Sequence, residues 1–505
     1  MKDLLEIVKI LTRKKISKIK ILDERALRQR DSKFGELYEA LATNKIQTDE
    51  DATRLLYGDE DASADRYRQI KSRFRRRLLN TLFFVHMNAP RTSSYTQTWF
   101  TVQKEWAMVQ ILLLHDAPYA ATEMAKQLLS KALKFHFTEL ITQCARLLRA
   151  QAVQEQQVKD FQYYHHIAQQ YMPILAAEQQ AQWLCQQIEL ASVNPILSEV
   201  TATQVENWNN ELLRLADTVE SPVLQCTMYL GNALYYESLR EYEGVLEVCQ
   251  NATAYLLEQG HQVDERKQSF YITKGIAAYL HLGDYRLGKI HAEQNLPYIL
   301  PKSTAWLEYM EYYLLLSLRT KNYINALAVF KNVIASTVFK KINETEQQKW
   351  HLFEVFFRYL QETKQLSAEL LSWKQRKSSR TEMVLPPFTD TEPPSPAISA
   401  QWIALQMLLL MQRRQFMALV KQGEQLFQLS SSELRQDKHI RTKSFVQLVQ
   451  MLHKANYNTR KIGNIKKYLD AWGRRPFHYR RFVHDFEIIP YEQLWELLCH
   501  QADTL

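Results

Sequence analysis

The sequence predicts an all-α protein. Glycine is scarce, with 11 residues in a chain of 505, and long helices joined by short loops need less glycine than sheets with many tight turns. Apolar residues keep helical spacing through most of the chain, and one short pattern of helix, polar turn, aromatic residue and second helix recurs. We therefore expect helix to exceed about 65% of residues, twice the share of an average globular protein.

Length and charge limit the organisation. One hydrophobic core rarely grows beyond roughly 250–300 residues, so the chain forms several domains or a repeat array. The net charge of +9 is uneven: residues 1–90 hold 20 Lys/Arg against 14 Asp/Glu, and residues 454–481 hold nine Lys/Arg against one Asp. Two basic ends therefore bracket a mildly acidic middle, which favours anionic partners at the ends.

Residues 1–95 are predicted to form a basic helical domain. Residues 1–22 have the spacing of one basic amphipathic helix, and residues 33–85 have that of three helices. A capping signal at Thr48 starts the second of these three, and Gly58 ends it.

The third helix begins near Ser63 and carries an apolar stripe from Tyr67 to Leu82. Its cations lie mostly off this stripe, so they are candidates for contact with nucleic acid or an acidic partner. The alternative is a solvated face, or pairing with acidic neighbours such as Asp49–Asp51. The candidate residues are Arg66, Arg68, Lys71, Arg73, Arg75, Arg76 and Arg77.

Residues 96–372 contain the recurring pattern. An aromatic residue follows the polar turn at Tyr119, Phe161, Tyr242, Tyr285 and Tyr323. Three of the spacings are 42, 43 and 38 residues, and the gap of 81 from Phe161 to Tyr242 equals about two of them. Such a period, with two helices per unit, indicates an α-solenoid whose concave surface binds partners.

These units resemble tetratricopeptide repeats. The resemblance lies in an aromatic after the turn and small residues where helices cross, and it covers about residues 100–345 plus one unit near Phe416. It implies a right-handed solenoid of helical hairpins that binds proteins. The matching residues are Gly283, Tyr285 and Gly288, Tyr323 and Ala326, and Tyr242 and Ala252.

The amino-terminal layout of helix, capped short helix, glycine and arginine-rich helix resembles the helix-turn-helix part of bacterial regulators that carry tetratricopeptide-like repeats. That resemblance implies that Arg66, Arg73, Arg76 and Arg77 face phosphates or base edges. A winged version needs a β-hairpin next, for which residues 86–100 are an ambiguous candidate.

Residues 373–399 are predicted to be a linker, because five prolines between Pro386 and Pro396 oppose helix there. Residues 400–505 return to helical repeats and end in a basic cap. In this cap, aromatic residues alternate with cations between 454 and 481, which suits either single-stranded nucleic acid or, as we favour, packing on the last repeat. The candidate contacts are Arg474, Arg475, Arg480 and Arg481.

The sequence shows no sign of an enzyme, a cofactor or a metal site. The segment Gly283–Lys289 has phosphate-loop spacing, but Ile290 replaces the required hydroxyl residue and no strand precedes it. The five cysteines are scattered and form no CxxC pair, which predicts free buried thiols. Neither HExxH nor a nucleophile motif occurs, so we assign no catalytic residues.

No run of about 18 apolar residues occurs, and the first residues lack the order of a signal peptide. We therefore expect a cytoplasmic protein with no membrane partner. The favoured function is a non-enzymatic scaffold that binds protein partners. The alternative is a regulator of DNA or RNA whose arginine-rich helix contacts nucleic acid while the repeats sense a partner.

Overall fold

The computed structural model describes most of the chain. The described residues are 33–43, 45–46, 48–58, 63–82, 94–193, 201–260, 264, 266–339, 342, 344–367, 396–432, 440–474, 477–479 and 486–505. Within them, 84% of residues are helical, and there are 20 α-helices and no strand. The predicted all-α class is confirmed for this part of the chain.

The chain divides into two compact units, Met1–Met172 and Pro173–Leu505. Among its described residues, the first unit contains six helices and the beginning of a seventh, which extends into the second unit. These helices are α1 (Lys33–Ala42), α2 (Asp49–Tyr57), α3 (Ser63–Leu82), α4 (Ser94–Leu114), α5 (Pro118–Lys134), α6 (Thr138–Gln154) and α7 (Val158–Val193).

Helices α1–α3 form a small core of their own, which includes Leu37, Leu56 and Phe74. The predicted cap of α2 is present: the backbone N–H of Asp51 donates to Thr48 Oγ1 (3.1 Å), and the backbone N–H of Thr48 donates to Asp51 Oδ2 (3.2 Å). These bonds satisfy donors that the first turn leaves without intrahelical partners.

Helices α4–α7 pack in chain order around a second core of mainly aliphatic side chains. The residues from Ser94 onward, which overlap the candidate wing at 86–100, form the first turns of α4. The described part of that segment is therefore helical and supplies no hairpin.

The second unit continues with thirteen helices after α7, within the residues that the structure describes. Short 3₁₀ turns lie at Leu296–Tyr298 and Thr459–Lys461. The helices are α8 (Ala202–Thr218), α9 (Pro222–Leu239), α10 (Tyr242–Gln259), α11 (Arg266–Leu282), α12 (Tyr285–Asn295), α13 (Thr304–Arg319), α14 (Tyr323–Ile334), α15 (Glu344–Glu362), α16 (Pro396–Gln412), α17 (Phe416–Ser432), α18 (Ile440–Lys454), α19 (Lys466–Arg474) and α20 (Tyr491–Asp503).

One turn geometry recurs between consecutive helices. A residue in the left-handed region lies two positions before each of seven helices. In six of these turns the N–H that follows it bonds back five residues, as from Asn322 N to Ser317 O (2.8 Å), which is the Schellman arrangement that usually employs glycine. In the seventh, at Gly283 (φ 72°), the glycine N–H itself donates to the Tyr279 carbonyl (2.9 Å). The other positions, with φ between 53° and 61°, are Asp116, His136, Gln156, Arg240, Lys321 and Arg414.

The predicted aromatic residues mark the starts of helices. Tyr242, Tyr285, Tyr323 and Phe416 are the first residues of α10, α12, α14 and α17. Tyr119 is the second residue of α5 and Phe161 the fourth of α7. The predicted order of helix, turn, aromatic residue and helix is thus observed at all of these positions.

Helices α13 and α16 are buried on nearly all sides. The segment before α20 covers part of α16: the backbone N–H of Ile488 donates to Gln401 Oε1 (2.8 Å), and Gln401 Nε2 donates to the carbonyl of Phe486. Helix α20 also packs on α16. The carboxyl-terminal residues therefore belong to the main core of the second unit.

Two ion pairs are buried in this core. Lys349 Nζ lies 2.6 Å from Glu311 Oε1, which also accepts a hydrogen bond from the Tyr479 hydroxyl. Arg441 binds both carboxylate oxygens of Glu487, at 2.7 and 3.0 Å. Buried charges are tolerated when they are paired in this way.

The predicted helix at 1–22 and most of the predicted linker lie outside the described residues. Pro396, the last of the five linker prolines, is the first residue of α16. Proline is accommodated there because the N–H that it lacks has no intrahelical partner in the first turn. The prediction that Pro396 opposes helix was therefore wrong, and the predicted linker ends earlier than residue 399.

Candidate nucleic-acid and partner interfaces

The buried stripe of α3 fixes which cations face outward. Tyr67, Phe74 and Leu78 are at most 3% exposed and pack against α1 and α2. Arg66, Arg73 and Arg76 are exposed, and their spacings of seven and three residues place them on one side of the helix, away from this stripe. Ten residues of helix separate the outer two by about 15 Å along the axis.

Two of the predicted cations are engaged within the domain. Lys71 Nζ lies 2.8 Å from Asp49 Oδ1, and the Tyr67 hydroxyl donates to the same oxygen at 2.8 Å. Burial opposes ionisation of Asp49, but hydrogen bonds from Lys71 and Tyr67 outweigh it, and the pKa of Asp49 is lowered. Lys71 therefore holds the start of α2 against α3.

Arg68 forms an exposed pair with Asp65 at 3.2 Å. Arg75 is also exposed and lies on the same flank of α3 as Arg68, seven residues away. Arg77 belongs to α3, but its side chain lies outside the described part of the chain. Within that part, no ion pair or hydrogen bond engages the side chains of Arg66, Arg73 and Arg76. These three residues form an arginine row that is exposed to an anionic partner.

The carboxyl-terminal basic segment has its aromatic residues inside the protein. Tyr457, Trp472 and Tyr479 are at most 8% exposed. The Tyr457 hydroxyl donates to the Leu419 carbonyl (3.2 Å), and Trp472 Nε1 donates to the Arg441 carbonyl (3.3 Å). Tyr457 and Trp472 pack on the last helices, whereas Tyr479 packs on Tyr312 of α13 and on Phe486. Because the three rings are buried, they cannot stack on bases.

Arg474 is exposed at the end of α19, and Arg475, Arg480 and Arg481 lie outside the described residues. The same segment exposes five further cations, which belong to the basic segment 454–481 that the sequence analysis recognised. They are Lys454, Arg460, Lys461, Lys466 and Lys467.

Helix α4 exposes an apolar face that the sequence analysis missed. Val102 and Val109 are buried on one side. On the other side, Phe100, Met108, Ile111 and Leu114 are 36–78% exposed. The available signal was the composition of the second half of α4, since Trp106–Leu114 is apolar except for Gln110, which is typical of a helix covered on two sides.

The described residues contain no metal-binding cluster, and their cysteines are free thiols. No three His, Cys, Asp or Glu side chains there could hold a metal ion together. Cys144, Cys185, Cys226 and Cys249 are buried and Cys499 is partly buried, all as free thiols. Burial raises the pKa of Cys144 and Cys249 to about 12, which disfavours the reactive thiolate.

The phosphate-loop-like segment is a helix hairpin. Gly283 occupies the turn after α11, and Gly288 lies inside α12. A Cβ atom at Gly288 would lie 2.5 Å from Leu316 Cδ2, so this glycine permits close packing with α13. None of the described helices combines the length and apolar character needed to cross a bilayer.

Comparisons with known proteins identify no relative: no family model, no curated protein and no solved structure matches this chain.

Proposed function

We propose that the protein is a non-enzymatic helical-repeat scaffold for protein partners, with its hairpins stacked as a right-handed, tetratricopeptide-like solenoid. The observation that carries the proposal is the recurring hairpin turn, with one left-handed residue two positions before each of seven helices. Repetition of one hairpin geometry is what a solenoid requires, and solenoids act through the surfaces they expose.

The partner surface that we propose is the outward face of α4, which Phe100, Met108, Ile111 and Leu114 form. Contiguous exposed apolar side chains mark interaction sites more often than scattered ones do. Helices α13 and α16 offer no comparable face, because they are buried on nearly all sides. A partner with an apolar face of its own would cover α4.

The test is affinity capture from the native host with the full chain and an Ile111→Asp, Leu114→Asp variant, in lysates with and without nuclease. We expect proteins that survive nuclease treatment and are lost from the variant. The matched control is Met417→Asp, Val420→Asp, which alters two exposed apolar residues of α17. If both variants keep the same proteins, α4 is not the docking surface.

The row of Arg66, Arg73 and Arg76 supports a second function, contact with nucleic acid by α3. Each phosphate contact contributes about 0.9 to the slope of log affinity against log salt. Replacing the three arginines with glutamine is therefore expected to lower that slope for duplex DNA by about 2–3.

The matched control for this second function removes Lys126, Lys131 and Lys134 of α5, which are in the same unit. Equal slopes for the two triple variants, or no DNA binding even at about 50 mM salt, would assign the arginine row to another role.

A further inference from the structure

The end of the second unit carries a basic surface that is separate from α3 and from the α4 face. Between residues 454 and 474 the chain has six cations and one acid, a net charge of +5. All six cations are exposed, and none forms an ion pair with another described residue. They are Lys454, Arg460, Lys461, Lys466, Lys467 and Arg474.

Buried aromatic residues hold this surface in place. Tyr457 anchors the turn after α18 through its bond to the Leu419 carbonyl, and His453 Nδ1 lies 2.8 Å from the Tyr457 hydroxyl. Trp472 anchors α19 from its inner side. Because Lys466, Lys467 and Arg474 lie on the side of α19 away from Trp472, the packing of the tryptophan directs them to solvent.

The acidic groups nearby do not neutralise the surface. Asp470 lies among the α19 cations at helical spacing, yet it is within ion-pair distance of none of them in the described residues. Asp503 of α20 accepts a hydrogen bond from the Thr459 hydroxyl at the 3₁₀ turn. The surface is therefore expected to attract a polyanion.

The chemistry of the surface favours phosphates over a membrane or a protein. Membrane-surface helices bury a broad apolar face in lipid, whereas Trp472 is already inside the protein and Leu469 is the one large apolar side chain that residues 454–474 expose. Protein interfaces have an apolar, aromatic centre, which this surface lacks. Lysine, arginine and asparagine side chains are common phosphate ligands, and Asn456, Asn458 and Asn464 are exposed among the cations.

We infer that residues 454–474 form a sequence-independent surface for the phosphate backbone of nucleic acid. Base stacking on aromatic side chains gives single-strand binders much of their affinity, and the rings here are buried or partly buried. Four of the six cations are lysines, which act as point charges and lack the bidentate geometry that reads guanine. The surface therefore prefers neither single strands nor a particular sequence.

The test compares two quadruple variants of the full chain. The surface variant replaces Arg460, Lys461, Lys466 and Lys467 with glutamine. Its control replaces Lys289, Lys302, Lys321 and Lys364, which removes the same charge elsewhere in the second unit. Affinity for a random-sequence duplex is measured by fluorescence anisotropy from about 50 to 200 mM salt, and circular dichroism confirms that both variants are folded.

We expect the surface variant to lower the log–log salt slope by about 3–4 relative to its control. Equal slopes for the two variants would overturn the proposal. Binding to phosphatidylserine vesicles that only the surface variant loses would overturn it in favour of a membrane, and polyglutamate bound as tightly as the duplex would overturn it in favour of an acidic protein. Because the α3 arginines are intact in both variants, failure here is distinguishable from failure of the α3 function.

Discussion

The left-handed turn residues predict a gain in stability on substitution with glycine. Lys321 and Arg414 have φ values of 61° and 55° and are exposed. The left-handed conformation costs a residue with a Cβ atom about 1–2 kcal/mol. Glycine avoids this cost but loses about 0.5–1 kcal/mol through the greater freedom of the unfolded chain. The net gain is about 0.5–1 kcal/mol per site.

The double variant Lys321→Gly, Arg414→Gly is therefore expected to raise the free energy of unfolding by about 1–2 kcal/mol. The two sites lie in different turns and share no hydrogen-bond or ionic partner among the described residues, so their effects should add. Urea unfolding followed by circular dichroism at 222 nm is a suitable assay, with the dependence of the free energy of unfolding on urea concentration held the same for all variants.

Alanine at the same two positions removes the long side chain but keeps the Cβ atom. It is expected to change stability by less than about 0.5 kcal/mol. The reverse substitution, Gly283→Ala, should cost about 1 kcal/mol; no atom lies within 4 Å of the added Cβ atom, so the cost is conformational. If the glycine variants are no more stable than the alanine variants, the turns do not carry the strain assigned to them.

Three further changes test the core of the second unit. Lys349→Met leaves Glu311 buried without its lysine. It should lower the free energy of unfolding, as measured by urea unfolding, by about 3–5 kcal/mol. Gly423→Ala places a Cβ atom 2.2 Å from His453 Nδ1, and should cost about 1–3 kcal/mol despite the higher helix propensity of alanine. Burial lowers the pKa of His281 well below its usual 6.5; because only the unfolded chain binds a proton there, stability should fall below pH 6.5 by up to about 1.4 kcal/mol per pH unit.

Each of these has a matched control. Adding Glu311→Leu to Lys349→Met should recover part of the loss, because the fully buried carboxylate is removed and only the partly exposed Glu346, which also pairs with Lys349 (3.2 Å), loses that ion pair. Gly473→Ala meets no atom within 4 Å, so it should not destabilise α19. His281→Phe should make stability less dependent on pH below 6.5. Burial raises the pKa of Glu487 to about 7. A raised carboxyl pKa favours the folded state as pH falls from 7 towards 4.5, which opposes the effect of His281. The wild-type chain and the His281→Phe variant are therefore compared with each other at each pH.

Features that depend on neighbouring residues could be predicted from the sequence. The Thr48 cap joins groups three residues apart, and the aromatic residues at Tyr242 and Tyr323 follow their turns directly. The left-handed residues in those turns could not be predicted, because Arg240 and Lys321 carry no local signal for positive φ. The hydrogen bond that closes each hairpin, together with the packing of its two helices, imposes that conformation.

Features that depend on distant contacts could not be derived from spacing. Trp472 and Tyr479 have the same mixture of aromatic and cationic neighbours whether they face solvent or the core. Their hydrogen-bond partners determine that both side chains face the core. These partners lie 31 and 168 residues away in the chain, at Arg441 and Glu311. For the same reason the charge of α3 could be counted from sequence, whereas the engagement of Lys71 by Asp49 could not.

Residues 486–491 lie against α16 and limit which surfaces of the second unit a partner can use. Removing them from α16 would expose Phe486, Ile488, Ile489 and Tyr491, all at most 5% exposed. At about 1.5–3 kcal/mol for each buried side chain, that costs about 6–12 kcal/mol before the paired Glu487 is considered. A micromolar partner supplies only about 8 kcal/mol in all, so displacement would consume most or all of its binding energy. The segment is therefore better regarded as core than as a displaceable ligand, and the proposed partner binding is expected at the exposed face of α4.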